Sequence, residues 1–288
     1  MKKKWKWGGL PTGSTSIVLV MGFFLASASF IIRYVEGQPQ LADTHIAFAS
    51  TRDGNMEIYV MDADGSNPIR LTRGLASDVY PTWSTDGKKI AFMSDRDGDF
   101  EIYVMNADGS NVVRLTNALG NDVNPSWSPA GKKIAFESMR DGNFEIYVMN
   151  EDGRNVVRLT HHPTEDASPS WSPDGKNIAF ASNRDGNFEI YVMNEDVGNI
   201  IRLTRHPEAD MCPSWSPDGK NIAFEANWQI HVMDADGSNP VQLTNPPGDG
   251  TTPSWSPENP SVVSPGGKLP VTWGEIRREG KSSGKEEK

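Results

Sequence analysis

Residues 134–177 read IAFESMRDGNFEIYVMNEDGRNVVRLTHHPTEDASPSWSPDGKN, and residues 178–221 read IAFASNRDGNFEIYVMNEDVGNIIRLTRHPEADMCPSWSPDGKN. The two stretches agree at 33 of 44 positions. The same unit starts at Ile46 and Ile90, and a shortened copy starts at Ile222. A fixed period of this size marks a supersecondary unit that cannot bury its faces alone and must stack on copies of itself.

Each unit holds four short strand candidates. Ile134-Ala135-Phe136 and Ile146-Tyr147-Val148-Met149 are rich in β-branched and aromatic residues. Arg140-Asp141-Gly142-Asn143 between them has turn chemistry, because Gly tolerates positive φ and Asp or Asn bonds its own backbone. Asn150-Glu151-Asp152-Gly153 predicts the next turn, Val156 to Thr160 a third strand, and Pro169-Ser170-Trp171-Ser172 a fourth. Pro173-Asp174-Gly175-Lys176 then turns back into the next Ile-Ala-Phe. The apolar stretches are dense rather than alternating, which is the pattern of a sheet covered on both faces. No segment carries a 3.6-residue period with helix caps, which excludes a helical solenoid. The expected fold is therefore all-β, a propeller of four-stranded antiparallel blades.

The run PSWSPDGKNIAFASNRDGNFEIYVMN, residues 169–194, resembles the TolB-type β-propeller repeat, a WD-like repeat. The resemblance covers residues 46 to 257 and is specific for fold, while propellers host unrelated activities. The family's namesake carries an α/β domain ahead of its propeller, and only 44 residues precede the propeller here, so that domain is expected to be missing. Every strand type occurs five times, and the chain enters at an Ile-Ala-Phe strand and leaves at the Trp255 strand. Five blades are expected, with Trp255 completing the blade begun at Ile46; the resemblance implies six as the alternative.

The expected organisation is 1–44 signal or anchor plus linker, 45–260 propeller, and 261–288 a polar, disordered tail. Lys2, Lys3, Lys4 and Lys6 precede an apolar run from Ile17 to Leu25 and then Ala26-Ser27-Ala28, the order of a secretory signal. An uncleaved anchor over residues 17–32 is the alternative, short against the roughly 20 residues a span needs. Either reading places the propeller outside the cytoplasm, periplasmic or secreted, or membrane-anchored. The single cysteine, Cys212, excludes an intrachain disulfide. Residues 45–260 hold 17 basic and 32 acidic groups, a net charge of −15, which argues against nucleic-acid binding.

Trp83, Trp127, Trp171, Trp215 and Trp255 recur in register and read as wedges between blades. Arg52, Arg96, Arg140 and Arg184 each precede an Asp-Gly turn and read as partners of carboxylates on neighbouring blades. Asp95 to Glu101 has an acid spacing that hints at calcium, but its Gly is misplaced for an EF-hand loop, and the histidines lack a third ligand, so no metal and no cofactor is expected.

The scaffold stays fixed while the loops 73–80, 117–124, 161–168, 205–212 and 245–252 vary. Asp78, Asp122, Asp166 and Asp210 lie late in these loops, with Asp249 close to register, and His161, His162 and His206 lie beside them. As turn chemistry these acids bond the backbone ahead of Pro-x-Trp. As a site they form an acidic ring for a basic partner. The TolB resemblance implies a non-enzymatic envelope protein that binds a protein or peptide; a monomer is expected. A carbohydrate or small-ligand binder is the alternative; a propeller hydrolase or lactonase is the third and weakest reading, since catalysis needs unique groups and nearly every polar residue here is repeated in register.

Overall fold

Nineteen strands form in a computed structural model of the chain, which describes residues 45–62, 65–196, 198–244 and 252–254. The first sheet is β1 (His45–Ser50), β2 (Glu57–Asp62) and β3 (Ile69–Arg70). The second is β4 (Asp78–Trp83), β5 (Lys89–Ser94), β6 (Glu101–Asn106) and β7 (Val113–Arg114). The third is β8 (Asp122–Trp127), β9 (Lys133–Ser138), β10 (Glu145–Asn150) and β11 (Val157–Arg158). The fourth is β12 (Asp166–Trp171), β13 (Asn177–Ser182), β14 (Glu189–Asn194) and β15 (Ile201–Arg202). The fifth is β16 (Asp210–Trp215), β17 (Asn221–Ala226), β18 (Gln229–Asp234) and β19 (Val241–Gln242).

All pairings are antiparallel, and each sheet is a blade of a five-bladed β-propeller. The strands β4, β8, β12 and β16 open their blades and lie side by side, so they line the axis. The first blade starts at its Ile-Ala-Phe strand, as the repeat phase requires. The strand expected to complete it runs through Trp255, which lies outside the described residues, as do residues 1–44, expected as signal or anchor, and residues 261–288, expected as a tail.

Two boundaries differ from the expectation. The Val156–Thr160 segment contributes only Val157 and Arg158 as strand, because Thr160 turns inward and its Oγ1 accepts the Ile146 amide at 2.9 Å. The Trp strand, in contrast, begins three residues earlier, at Asp166, which stands opposite Ser182. The register then shifts between Ala167 and Ser170, because Ser168 bulges out at φ 54°. The same left-handed bulge occurs at Tyr80, Asn124 and Cys212.

The core lies between blades. Phe92, Phe136, Phe180 and Phe224 are fully buried, and Trp83, Trp127 and Trp171 pack into the same clusters with Trp215 at the edge. Blades also lock through their Asp-Gly turns. Gly153 sits at φ 82° with its backbone against Leu115 of the preceding blade, where an added Cβ would stand 2.7 Å from the Leu115 carbonyl. Lys89–Glu151 at 3.0 Å and Lys133–Glu195 at 3.3 Å bridge the same seams at the surface.

Candidate functional site

At one end of the propeller the turns inside each blade meet the variable loops between blades. Asn143, in the Arg-Asp-Gly-Asn turn of the third blade, donates its Nδ2 to the carbonyls of His162 and Thr164 at 3.0 and 2.7 Å. Asn187 does the same in the fourth blade, to His206 and Glu208 at 3.0 and 2.8 Å. This end carries the residues that the sequence singles out.

The acids do not form an open ring. Asp78, Asp122, Asp166 and Asp210 are buried, and three of them accept a guanidinium. Arg96 Nη2 reaches both oxygens of Asp78 at 2.9 and 3.0 Å, Arg184 Nη2 both oxygens of Asp166 at 3.0 and 2.9 Å, and Arg140 Nη2 one oxygen of Asp122 at 2.7 Å. The partners belong to the same blade, not to neighbouring ones. The reason is that each Arg folds back over its own blade's aromatic pair: the Arg184 guanidinium lies 5.4 Å from the Phe180 ring and 4.8 Å from Tyr191. The acids thus hold side chains rather than capping the loop backbone. Burial pushes the Asp166 carboxyl up, against the pull of Arg184. Asp249 lies outside the described residues.

A second repeated network stands behind the first. Glu145 is buried, accepts Arg158 Nη2 at 2.7 Å and Thr160 Oγ1 at 2.5 Å, and takes the His162 amide at 2.8 Å. Arg158 also reaches Asp141, which accepts the Tyr147 hydroxyl. Equivalent sets run through Glu57, Glu101 and Glu189. The fifth blade exchanges the whole set together: Gln229 stands for the Glu, Gln242 for the Arg and His231 for the Tyr, while Thr244 Oγ1 still donates, now to Gln229 Oε1 at 2.9 Å. Its Arg-Asp-Gly turn is replaced by Asn227 and Trp228, both at positive φ, with Trp228 exposed at the tip. A bulky residue in that region is strained.

With the Arg gone, His206 takes its place. Its Nδ1 is 3.0 Å from Asp210, and its ring stacks on Phe224 near His231. His162 turns inward, its Nδ1 2.8 Å from Thr164 Oγ1, and His161 is exposed. The three histidines therefore do not converge. Among the described residues no group of three His, Cys, Asp or Glu could hold a metal ion.

The structure also assembles a cluster that the sequence reading misses. The bulge residues Tyr80, Asn124, Ser168 and Cys212 are at most half-exposed on the strands lining the axis. Glu137 of β9 points between the third and fourth blades; its Oε1 accepts Asn124 Nδ2 at 2.5 Å and the Ser168 amide at 2.6 Å. Glu225 of β17 is bonded by the Thr252 amide in the corresponding way. Burial pushes both glutamates above the usual carboxylate range. Cys212 lies between them, its Sγ 3.9 Å from Ser168 Oγ, and burial and then Glu225 push its thiol up to about 11. A signal was present in the sequence: these two positions read Ala49, Met93, Glu137, Ala181, Glu225 and Tyr80, Asn124, Ser168, Cys212, Thr252 along otherwise constant strands. The loop tips vary likewise, and Leu75 and Leu119 stand almost wholly in solvent.

A family model described as the TolB β-propeller domain matches residues 34–124 and 116–263. A Tol-Pal system protein TolB of Desulfosudis oleivorans is 41% identical over 58 residues, which is 20% of this chain and 13% of that protein. The chain thus spans well under two thirds of that relative's length. The solved structure of a putative TolB from Agrobacterium tumefaciens superposes with a TM-score of 0.66 at 27% identity, covering 74% of this chain and 80% of that one. A puromycin hydrolase, at 19% identity and a TM-score of 0.59 over 72% of this chain and 38% of its own, shares the fold alone.

Proposed function

The chain belongs to the TolB β-propeller domain family, and from that premise we propose that it is a non-enzymatic binding propeller of the cell envelope, taking a protein or peptide partner at its loop end. The observation that carries this reading is the pair of Leu75 and Leu119, fully exposed at the tips of two unrepeated loops, beside the variable strand bulges of the axis. Solvent-facing leucines contribute nothing to the fold, and a rigid scaffold presenting variable loops is the usual build of a binding face. The Tol-Pal system named for the Desulfosudis relative supplies the setting, an envelope assembly. The Lys-rich start and the apolar run supply the export route, by cleaved signal or by anchor.

The chemistry at the axis supports binding over catalysis. A thiol pushed up to about 11 is not a thiolate at neutral pH, and the thiolate is the nucleophile. The test is affinity capture from the source envelope with the full chain. A protein partner should be retained, and Leu75→Asp with Leu119→Asp should release it without changing the melt. Retention of glycan and no protein would favour a carbohydrate binder; retention unaffected by the two substitutions would remove the loop end from the proposal.

A further inference from the structure

The axis holds a carboxylate that the fold does not neutralise. Glu137 is only 4% exposed, yet no Arg, Lys or His among the described residues pairs with it. Each of the other buried acids of the third and fourth blades has such a cation: Arg140 for Asp122, Arg158 for Glu145, Arg184 for Asp166 and Arg202 for Glu189. Both donors that Glu137 receives fall on one oxygen, Oε1. Its Oε2 has no hydrogen-bond partner among the described residues and keeps an opening to solvent. The Asn124 side chain that donates to Glu137 leaves its own Oδ1 buried and unpartnered. Two acceptors with nothing bonded to them are therefore carried on groups joined by a single 2.5 Å hydrogen bond.

Leaving Asn124 Oδ1 buried and unpaired costs about 1–3 kcal/mol, and holding Glu137 nearly buried without a counter-ion adds to it. The fold could avoid the cost simply: Ala49, Met93 and Ala181 occupy this position in three other blades. Glu225, the other acid at this position, also acts on the Cys212 thiol, so the two acids share one stretch of the axis. Asp122 and Asp210 are each hydrogen-bonded through one oxygen, to Arg140 and His206, and each keeps its other oxygen buried without a hydrogen bond. What the stretch lacks is positive charge bearing several N–H donors.

We propose that Glu137 Oε2 and Asn124 Oδ1, with the Ser168 amide fixing the carboxylate, form a binding site for the ammonium or guanidinium end of a basic side chain entering the axis. This rests on the reading of the loop end as a binding face and assigns that face a chemical preference. A guanidinium suits the site best, since its fork can address two separate acceptors at once.

The probes are arginine amide, lysine amide and norleucine amide, added to the full-length 15N-labelled protein. The expected result is a saturable shift of the Ser168 amide with arginine amide, a weaker one with lysine amide and none with norleucine amide. Glu137→Gln, which keeps an acceptor for Ser168, should weaken arginine amide about tenfold or more, the loss expected for a charge-assisted hydrogen bond. Asn124→Ala should weaken it less. An equal response to norleucine amide would overturn the proposal, as would no saturable shift with any cation, or arginine amide binding unchanged in Glu137→Gln. A Ser168 shift produced by calcium but not by arginine amide would overturn it in favour of a metal. If Glu137→Gln loses the amine response while envelope capture persists, the inference about chemistry stands and the captured partner binds through the loop tips. If capture fails altogether with the wild-type chain while arginine amide still binds, the family-based reading fails and this site does not.

Discussion

Replacing Asp166 with Ala should destabilise the propeller far more than replacing Asp210, although the two acids are equivalent in the repeat. Asp166 is completely buried and takes Arg184 Nη2 on both oxygens at 3.0 and 2.9 Å. Removing it leaves a permanent cation, only 16% exposed, held over Phe180 and Tyr191 with no counter-charge. Breaking a buried pair from one side costs roughly 3–5 kcal/mol. Partial exposure of the guanidinium and its hold on the two rings place the expected loss at the low end, about 3 kcal/mol. Asp210 has His206 instead, 34% exposed, so its removal leaves no guanidinium stranded over the rings. Its loss should be that of an ordinary buried hydrogen bond, about 1 kcal/mol. Urea melts at neutral pH measure both, and a double-mutant cycle of Asp166→Ala with Arg184→Ala isolates the pair. Equal losses for the two acids, or a coupling energy near zero for Asp166 and Arg184, would show that the ion pair does not hold this turn. Asp166→Lys should be worse than Asp166→Ala, since it sets a second cation against Arg184, so a charge reversal here reports folding rather than recognition.

Four further outcomes are expected. Burial raises Glu137 above its unfolded value, so its contribution to stability is full while it is protonated, below the ordinary glutamate value, and is lost as pH climbs through the folded one; Glu137→Gln should therefore match wild type in acid and exceed it in urea melts at neutral pH. Gly153→Ala should cost about 2 kcal/mol or more, because it adds a contact with the Leu115 carbonyl to an unfavourable φ. Gly142→Ala, at φ 109° in open space, should cost about 1 kcal/mol, and the difference should appear as separate thermal midpoints. Gln229→Glu alone should destabilise the fifth blade by about 2 kcal/mol, with Gln242→Arg recovering most of it; a double variant no better than the single would break the analogy with Glu189 and Arg202. Leu75→Asp and Leu119→Asp should leave the melt within about 0.5 kcal/mol of wild type while weakening partner capture.

The blade is legible in the amino-acid order alone. Its 44-residue period set the unit, the dense Ile-Tyr-Val-Met runs marked strands covered on both faces, and the Asp-Gly turns marked where each hairpin reverses. Five copies of each strand gave the blade count, and the phase of the repeat put an Ile-Ala-Phe strand at the start of the first sheet. These are local signals, since turn chemistry and strand patterning act within a few residues. What the tertiary structure alone decided is what the variable polar residues do. Asp78 and Asp166 look like loop acids in the sequence, but a one-residue bulge carries them into the sheet, and Arg96 and Arg184, 18 residues further on, reach them only once the hairpin has closed. Glu137 and Ser168 are 31 residues apart and belong to different blades, so their contact exists only where one blade is stacked on the next. Burial follows the same rule: a residue's charge is legible in its letter, but whether water, an arginine or nothing surrounds it depends on packing between repeats.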